Sequence, residues 1–210
     1  MSHELKAPIA VITGLADTLS SGRHSLTDAQ ADDCLDRIGR QGRRLERLVG
    51  DLLHLAQAES SSFGVSLEPV DLARAAEGAL ESAPIPPHKS VELHIPEPVW
   101  ALADQDRLEQ VLVNLLTNAY RYGGSTVSIG ARDASHGPLI TVADDGDGVP
   151  DDLVPKLFER FSRGPVADGV NGSGLGLAIS RALVEGLGGG IWYEPGEPAG
   201  ARFSFTLRAV

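Results

Sequence analysis

Four stretches of this sequence carry residue types that could take part in group transfer or ligand binding. His3 stands in Ser-His-Glu-Leu-Lys-Ala-Pro near the start of the chain, and a neutral imidazole nitrogen is nucleophilic near neutral pH. Asn114 and Asn118 are four residues apart, a spacing that places two amides on one face of a helix. Two glycine motifs follow, Asp144-x-Gly146-x-Gly148 and Gly172-x-Gly174-x-Gly176. Together they indicate that a phosphoryl acceptor and a nucleotide pocket share one chain.

Each of these signals also has a plainer explanation when it is taken alone. The second glycine motif fits a flexible turn as well as a loop whose backbone N–H groups bind phosphate at a helix N-terminus. The Asp144 motif fits a tight turn capped by the carboxylate. Asn114 and Asn118 could make hydrogen bonds from the helix to a loop, because amides beside apolar residues are costly unless they are paired. The residues alone leave these alternatives open.

The composition excludes several classes of protein. Of the 210 residues, 42% are hydrophobic and 22% are charged, as in ordinary soluble globular chains. A formal net charge of −11 disfavours a nucleic-acid binder and a polybasic membrane contact. The single Cys34 excludes an internal disulfide and a multi-cysteine metal cage. No apolar run approaches the length of about 20 residues that a spanning helix requires, so we expect this segment in the cytoplasm. Any anchor in the inner membrane would lie upstream.

Residues 1–60 are predicted to form a helical hairpin. Apolar residues recur at alternating spacings of three and four along two segments that Ser21-Gly22 separates, and Thr27 with Gln30 fits a capping box. The recurring positions are Leu5, Ile9, Ile12, Ala16 and Leu19, then Leu35, Ile38, Gly42, Leu45, Val49, Leu52 and Ala56. These positions form a narrow apolar stripe along each helix, here called the seam. Such a seam is typical of a hairpin that packs on a second copy as a dimeric four-helix bundle. His3 falls outside the seam, and Pro8 should loosen the turn beside it.

A polar linker at residues 61–66 separates the hairpin from a second domain, residues 67–210. Asp71 and Asp104 are predicted to cap helices there, and strands are predicted near residues 65–70, 91–95, 99–103, 126–131, 139–143, 191–193 and 202–207. Two shorter helical segments are predicted at residues 153–158 and 175–187. This mixed order predicts an α/β sandwich with helices on one face of the sheet, so the whole chain is of the α+β class.

Five motifs, in this order, resemble the transmitter core of sensor histidine kinases. They lie at residues 2–8 (SHELKAP), 114–122 (NLLTNAYRY), 144–148 (DDGDG), 158–161 (FERF) and 172–177 (GSGLGL). The resemblance covers nearly the whole chain. It implies a dimerisation and histidine-phosphotransfer hairpin, followed by the ATP-binding fold that histidine kinases share with DNA gyrase, heat-shock chaperones and MutL.

The resemblance also implies a role for each motif residue. His3 would accept the γ-phosphoryl group of ATP, and Glu4 would assist with the imidazole proton. Asn118 would bind Mg²⁺ through its amide oxygen with Asn114 in support, and Asp144 would accept a hydrogen bond from the adenine amino group. The other implied ATP-site residues are Arg121 and Tyr122, the glycines Gly146 and Gly148, the lid anchors Phe158 and Phe161, Arg163 near the γ-phosphate, and the lid-motif residues Gly172, Gly174, Leu175 and Gly176.

Two positions bear on the type of reaction. Asn114 stands where hydrolytic relatives of this fold have a water-activating Glu, and an amide cannot act as a general base. Ala7 stands where the family usually has Thr or Asn, which implies weak phosphatase activity. Family members also have helix ahead of this histidine, so we expect the chain to be a fragment of a longer transmitter.

The expected function is therefore an ATP-dependent histidine kinase of a two-component system. It would phosphorylate His3 and pass the group to an Asp of a response regulator. A scaffold that binds ATP and dimerises without transferring phosphate is the first alternative. An ATPase or a serine kinase on the same fold is the second, and the His3 segment and Asn114 argue against it.

Overall fold

The computed structural model describes residues 2–22, 26–59, 64–95, 97–162 and 173–210. The chain divides into two compact units, residues 1–53 and 54–210. No helix in these described ranges combines the length and the apolar character that crossing a bilayer requires.

Two helices form the N-terminal region, α1 at Ser2–Ser21 and α2 at Asp28–Glu59. The first runs through Pro8 and ends directly before Gly22, as predicted. The capping box at the second is confirmed: the Thr27 N–H donates to Gln30 Oε1 at 3.0 Å and the Gln30 N–H donates to Thr27 Oγ1 at 3.3 Å. The start of α2 is thus set by side chains within one turn of it.

Burial along α2 differs from the predicted seam by one residue at several positions. Cys34, Leu48 and Leu55, which are whole heptads apart, are 9%, 2% and 3% exposed in the single chain. The seam residues Leu35 and Val49 remain 56% and 45% exposed. The predicted register is therefore not the one that this chain buries alone. An apolar stripe is left on the surface of α2.

In the described residues of the second region there are seven strands and three α-helices. They run in the order β1 Glu68–Asp71, α3 Leu72–Ser82, β2 Ser90–His94, β3 Trp100–Ala103, α4 Gln105–Tyr122, β4 Thr126–Ala134, β5 Gly137–Asp144, α5 Gly176–Gly186, β6 Ile191–Pro195 and β7 Ala201–Thr206. A five-stranded sheet has the order β2-β4-β5-β7-β6, in which β2 and β4 are parallel and the other pairs antiparallel. Strands β1 and β3 form a separate antiparallel pair.

The core of this region lies between the sheet and α3, α4 and α5. Alternate residues of the central strands point into it, including Val127, Ile129 and Phe205, which are fully buried. Helix α4 contributes its apolar face through Leu108, Val111, Leu112, Leu115 and Leu116. Burying each such side chain contributes about 1.5–3 kcal/mol. The predicted α/β sandwich is confirmed, and it makes α4 a rigid base for the polar residues on its other side.

Local side-chain contacts begin two of the helices as predicted. Asp71 Oδ1 accepts from the Ala73 N–H at 3.0 Å, and Asp104 Oδ1 accepts from the Arg107 N–H at 3.2 Å. The helix predicted at residues 153–158 is only a 3₁₀ turn, Val154–Lys156. Its backbone hydrogen bonds span three residues, from the Lys156 N–H to the Leu153 carbonyl at 2.9 Å and from the Leu157 N–H to the Val154 carbonyl at 3.3 Å, as in a 3₁₀-helix.

Candidate nucleotide site

The polar face of α4 carries the two predicted amides. Asn114 and Asn118 lie one turn apart and are half-buried. The Asn114 amide nitrogen donates to the Gly176 carbonyl at 3.4 Å, which is the helix-to-loop contact of the plainer explanation. The side chain of Asn118 makes no hydrogen bond to another described residue. Its amide is therefore available to a ligand, while Asn114 joins α4 to the beginning of α5.

Asp144 ends β5 and is held by two backbone groups. Its Oδ1 accepts from the Gly146 N–H at 2.9 Å and from the Ala201 N–H at 3.3 Å. Its Oδ2 accepts no hydrogen bond within the described part of the chain. Burial raises the pKa of Asp144, with a smaller contribution from Asp145, while the two N–H groups and the Lys89 charge act in the opposite direction. One oxygen orients the carboxyl group and the other can accept a hydrogen bond.

The glycines of the Asp144 turn are required by close backbone packing. A Cβ at Gly146 would lie 2.7 Å from the Gly123 Cα, and a Cβ at Gly148 would lie 2.9 Å from the Gly200 carbonyl oxygen. Gly148 also has a φ of +77°, which disfavours any residue with a side chain. The turn is thus pressed against the segment that follows α4.

Asp145 fastens the same turn from its other side. Its Oδ1 accepts from the Thr126 N–H at 2.8 Å, and its Oδ2 accepts from the Ser125 hydroxyl at 3.2 Å. The Thr126 hydrogen bond is the main reason that the pKa of Asp145 is lowered. Sequence analysis missed this residue, although its place beside Asp144 before two spaced glycines was a usable signal.

An aromatic cluster connects the Phe158 segment with the end of the Asp144 turn. Phe158 meets Phe203 edge to face at 6.4 Å between ring centroids, and Tyr193 lies 5.5 Å from Phe203. The Val149 N–H donates to the Tyr193 hydroxyl at 3.4 Å. Phe161, the second predicted lid anchor, is half-buried and has a φ of +64°. Tyr193 and Phe203 were missed because their contacts are distant in sequence.

The described part of the second glycine motif leads into α5. Gly174 has a φ of +70°, and the Leu175 N–H donates to the Ser173 hydroxyl at 3.2 Å. Leu175 is fully buried, and Gly176 begins the helix. The chain therefore turns at Gly174, and the buried side chain of Leu175 fixes the N-terminus of α5.

The remaining predicted residues are less constrained or lie outside the described ranges. Arg121 and Tyr122 are exposed in the last turn of α4. Arg163 and Gly172 fall outside the residues that the structure describes. His3 and Glu4 belong to α1, but the description does not extend to their side chains.

Comparison with known proteins identifies the class that this fold and site define. Residues 103–210 match the family of histidine kinase-, DNA gyrase B- and HSP90-like ATPases. Residues 1–61 match the His Kinase A (phospho-acceptor) domain. The second region thus has the fold of this family, and it follows a phosphoacceptor-type hairpin. The chain belongs to the sensor histidine kinase family and comprises its transmitter core.

Individual relatives agree with this membership. The signal transduction histidine-protein kinase AfsQ2 of Streptomyces coelicolor is 30% identical over 217 residues, covering 99% of this chain and 40% of that protein. The Acinetobacter baumannii histidine kinase AdeS has a TM-score of 0.74 at 25% identity, with 99% of this chain and 98% of that chain covered.

A further solved structure supports the fold alone. The histidine kinase ThkA, in complex with the response regulator protein TrrA, has a TM-score of 0.74 at 23% identity, with 100% of this chain and 60% of that chain covered. The present chain spans less than half the length of the curated relatives that it matches.

Proposed function

We propose that this chain is the core of an ATP-dependent protein histidine kinase that phosphorylates His3 and donates the phosphoryl group to an Asp of a response regulator. The observation that carries the proposal is the position of α4. Asn114 contacts Gly176 at one end of the polar face, and Gly123 packs on Asp144 beyond the other end. Asn118 lies between these contacts. A nucleotide with its base at Asp144 would direct its phosphates along this face.

Asp144 is suited to reading adenine. Its Oδ1 is committed to two N–H groups, so Oδ2 is the atom that would accept from the exocyclic amino group. A hydrogen bond to a charged acceptor contributes about 1.5–3 kcal/mol. The remaining ligand contacts are assigned by the family resemblance. Tyr122 would line the nucleotide site, and Arg121 and Arg163 would contact phosphates. The lid would be formed by Phe158, Phe161, Gly172, Gly174 and Gly176.

Asn118 is the residue that would hold Mg²⁺, through its amide oxygen. Among the described residues, no three His, Cys, Asp or Glu side chains are grouped to hold a metal ion. A single amide suits Mg²⁺, which is commonly bound by few protein ligands together with phosphate oxygens and water. When bound, Mg²⁺ would neutralise phosphate charge.

Asn114 favours phosphoryl transfer over hydrolysis. Its amide is neutral and donates to the Gly176 carbonyl, so it cannot remove a proton from water. In the proposed reaction an imidazole nitrogen of His3 forms a bond to the γ-phosphorus as the bond to the β–γ bridging oxygen breaks, and ADP leaves. Glu4 accepts or shares the proton of the other ring nitrogen.

The exposed apolar stripe on α2 supports a homodimer. Leu35 and Val49 lie two heptads apart on its surface, and a second hairpin packed there would complete a four-helix bundle. A response regulator is the proposed acceptor, by analogy with the ThkA complex with TrrA. Ala7 remains the reason to predict weak phosphatase activity. Ala7→Thr should therefore raise the rate at which the chain dephosphorylates its phosphorylated partner.

Incubation with γ-labelled ATP and Mg²⁺ tests the proposal. The unmodified chain should acquire label that is lost in acid and retained in base, and His3→Ala should acquire none. Acid-stable label would indicate a serine or threonine kinase, and label on His3→Ala would refute the assignment of His3. Nucleotide binding without any label would favour the silent scaffold.

A further inference from the structure

Lys89 is a half-buried lysine between α3 and β2 whose side chain points at the end of α4. Its Nζ donates to the carbonyls of Ala119 at 3.5 Å, Gly123 at 2.7 Å, and Gly124. The Ala119 carbonyl lies in the last turn of α4 and also accepts from the Gly123 N–H at 2.9 Å, whereas Gly123 and Gly124 follow the helix. A positive charge at this end of the helix is favourable because of the helix dipole. Lys89 therefore closes the C-terminal end of the helix that carries Asn114 and Asn118.

The carbonyls that Lys89 binds belong to the segment packed against the Asp144 turn. A Cβ at Gly123 would lie 2.6 Å from the Asp144 Cβ, and a Cβ at Gly124 would lie 2.5 Å from Asp145 Oδ1. The two segments are therefore packed without room for a side chain at either glycine. A shift of the α4 terminus would therefore displace the Asp144 carboxylate.

Charge connects the same two groups. Burial is the main effect on the pKa of Asp144 and raises it, and the Lys89 ammonium makes a small contribution in the opposite direction. The ammonium group therefore helps to keep the carboxyl group ionised, which is the form that accepts hydrogen bonds with both oxygens.

We propose that Lys89 is a positioning residue for base recognition: by joining the end of α4 to the Gly123–Gly124 turn, it holds Asp144 where it distinguishes adenine from a purine without the 6-amino group. This inference rests on the proposed function, because it assumes that Asp144 reads that amino group. If Lys89 served only to cap the helix, its loss would lower stability without changing the preference between bases.

The test compares the binding of two nucleotides by calorimetry, ADP and purine riboside 5′-diphosphate, each with Mg²⁺. The unmodified chain should prefer ADP by about tenfold or more, the value of a hydrogen bond to a charged group. In Lys89→Met, which keeps the length of the side chain but removes the ammonium group, the preference should fall by at least about threefold, because the carboxylate is less well placed.

A stability control separates positioning from general destabilisation. Val70→Ala truncates a buried side chain on β1, so it should lower the unfolding midpoint while leaving the preference for ADP unchanged. Should Lys89→Met fail to fold, Lys89→Gln is the deciding variant, since it keeps a shorter, neutral donor and should also weaken the preference. A folded Lys89 variant that retains the full preference would overturn the inference. Equal binding of both nucleotides by the unmodified chain would instead refute the proposed role of Asp144.

Discussion

Replacing Asp144 with Asn changes the adenine contact while preserving the local hydrogen bonds. The Asn Oδ1 can still accept from the Gly146 and Ala201 N–H groups that Asp144 binds at 2.9 and 3.3 Å. The amide nitrogen then occupies the place of Oδ2 and presents a donor to the adenine amino group, which is itself a donor. The substitution thus removes one proposed ligand contact with little change in shape.

The expected loss of affinity follows from the strength of that contact. A hydrogen bond to a charged group contributes about 1.5–3 kcal/mol, which corresponds to about 10- to 150-fold in the dissociation constant. Binding of ADP with Mg²⁺, measured by calorimetry, should weaken by this factor. Purine riboside 5′-diphosphate, which lacks the amino group, should bind both chains about equally.

Stability should move in the opposite direction from affinity. Burial raises the pKa of Asp144 in the folded chain, so the protonated carboxyl group favours folding. This stabilisation is fully present below the unfolded-state pKa and is lost as the pH rises through the folded-state pKa. At neutral pH the carboxylate therefore opposes folding. Asp144→Asn should therefore leave the unfolding midpoint unchanged or raise it.

Two results would refute this reasoning. ADP affinity within about twofold of the unmodified chain would show that Asp144 does not read the base. A clearly lowered unfolding midpoint would show that the carboxylate charge stabilises the turn.

Three further predictions concern pH, assembly and the aromatic cluster. The affinity for ADP should fall as the pH is lowered, and the fall should begin at a higher pH than for an Asp with an ordinary pKa, because the pKa of Asp144 is raised. Binding measured over a range of pH should show this fall. Asp144→Asn should abolish it. The double variant Leu35→Lys, Val49→Lys should be a monomer in sedimentation experiments, because both side chains are apolar and exposed on the surface that we assign to the dimer. The control variant Asp36→Lys should remain a dimer. A dimeric double variant would contradict the assignment of this surface. Tyr193→Phe keeps the aromatic contact with Phe203 but removes the hydroxyl that accepts from the Val149 N–H. The free energy of unfolding, measured with denaturant, should fall by about 0.5–1.5 kcal/mol. An unchanged value would show that this hydrogen bond does not stabilise the fold.

The features that depended on neighbouring residues were readable from the amino-acid order. Asp71 and Asp104 cap helices through N–H groups two and three residues away, and Thr27 pairs with Gln30 within one turn. Asn114 and Asn118 share a face because the helical repeat places them there. Interactions of this range are specified by residue type and spacing, so the element types and the motif residues could be predicted.

The chemistry of the site depended on contacts between residues far apart in the chain. Lys89 binds carbonyls more than thirty positions away, and Tyr193 lies 44 positions from Val149. The side on which α2 buries Cys34 and Leu48 rather than Leu35 and Val49 is likewise a packing outcome. Periodicity states which residues are apolar, but only folding decides which partner each one meets and which carbonyls a lysine can reach. The motifs could therefore be recognised from the sequence, whereas the geometry that fixes Asp144 against the end of α4 exists only once the sheet and helices have packed.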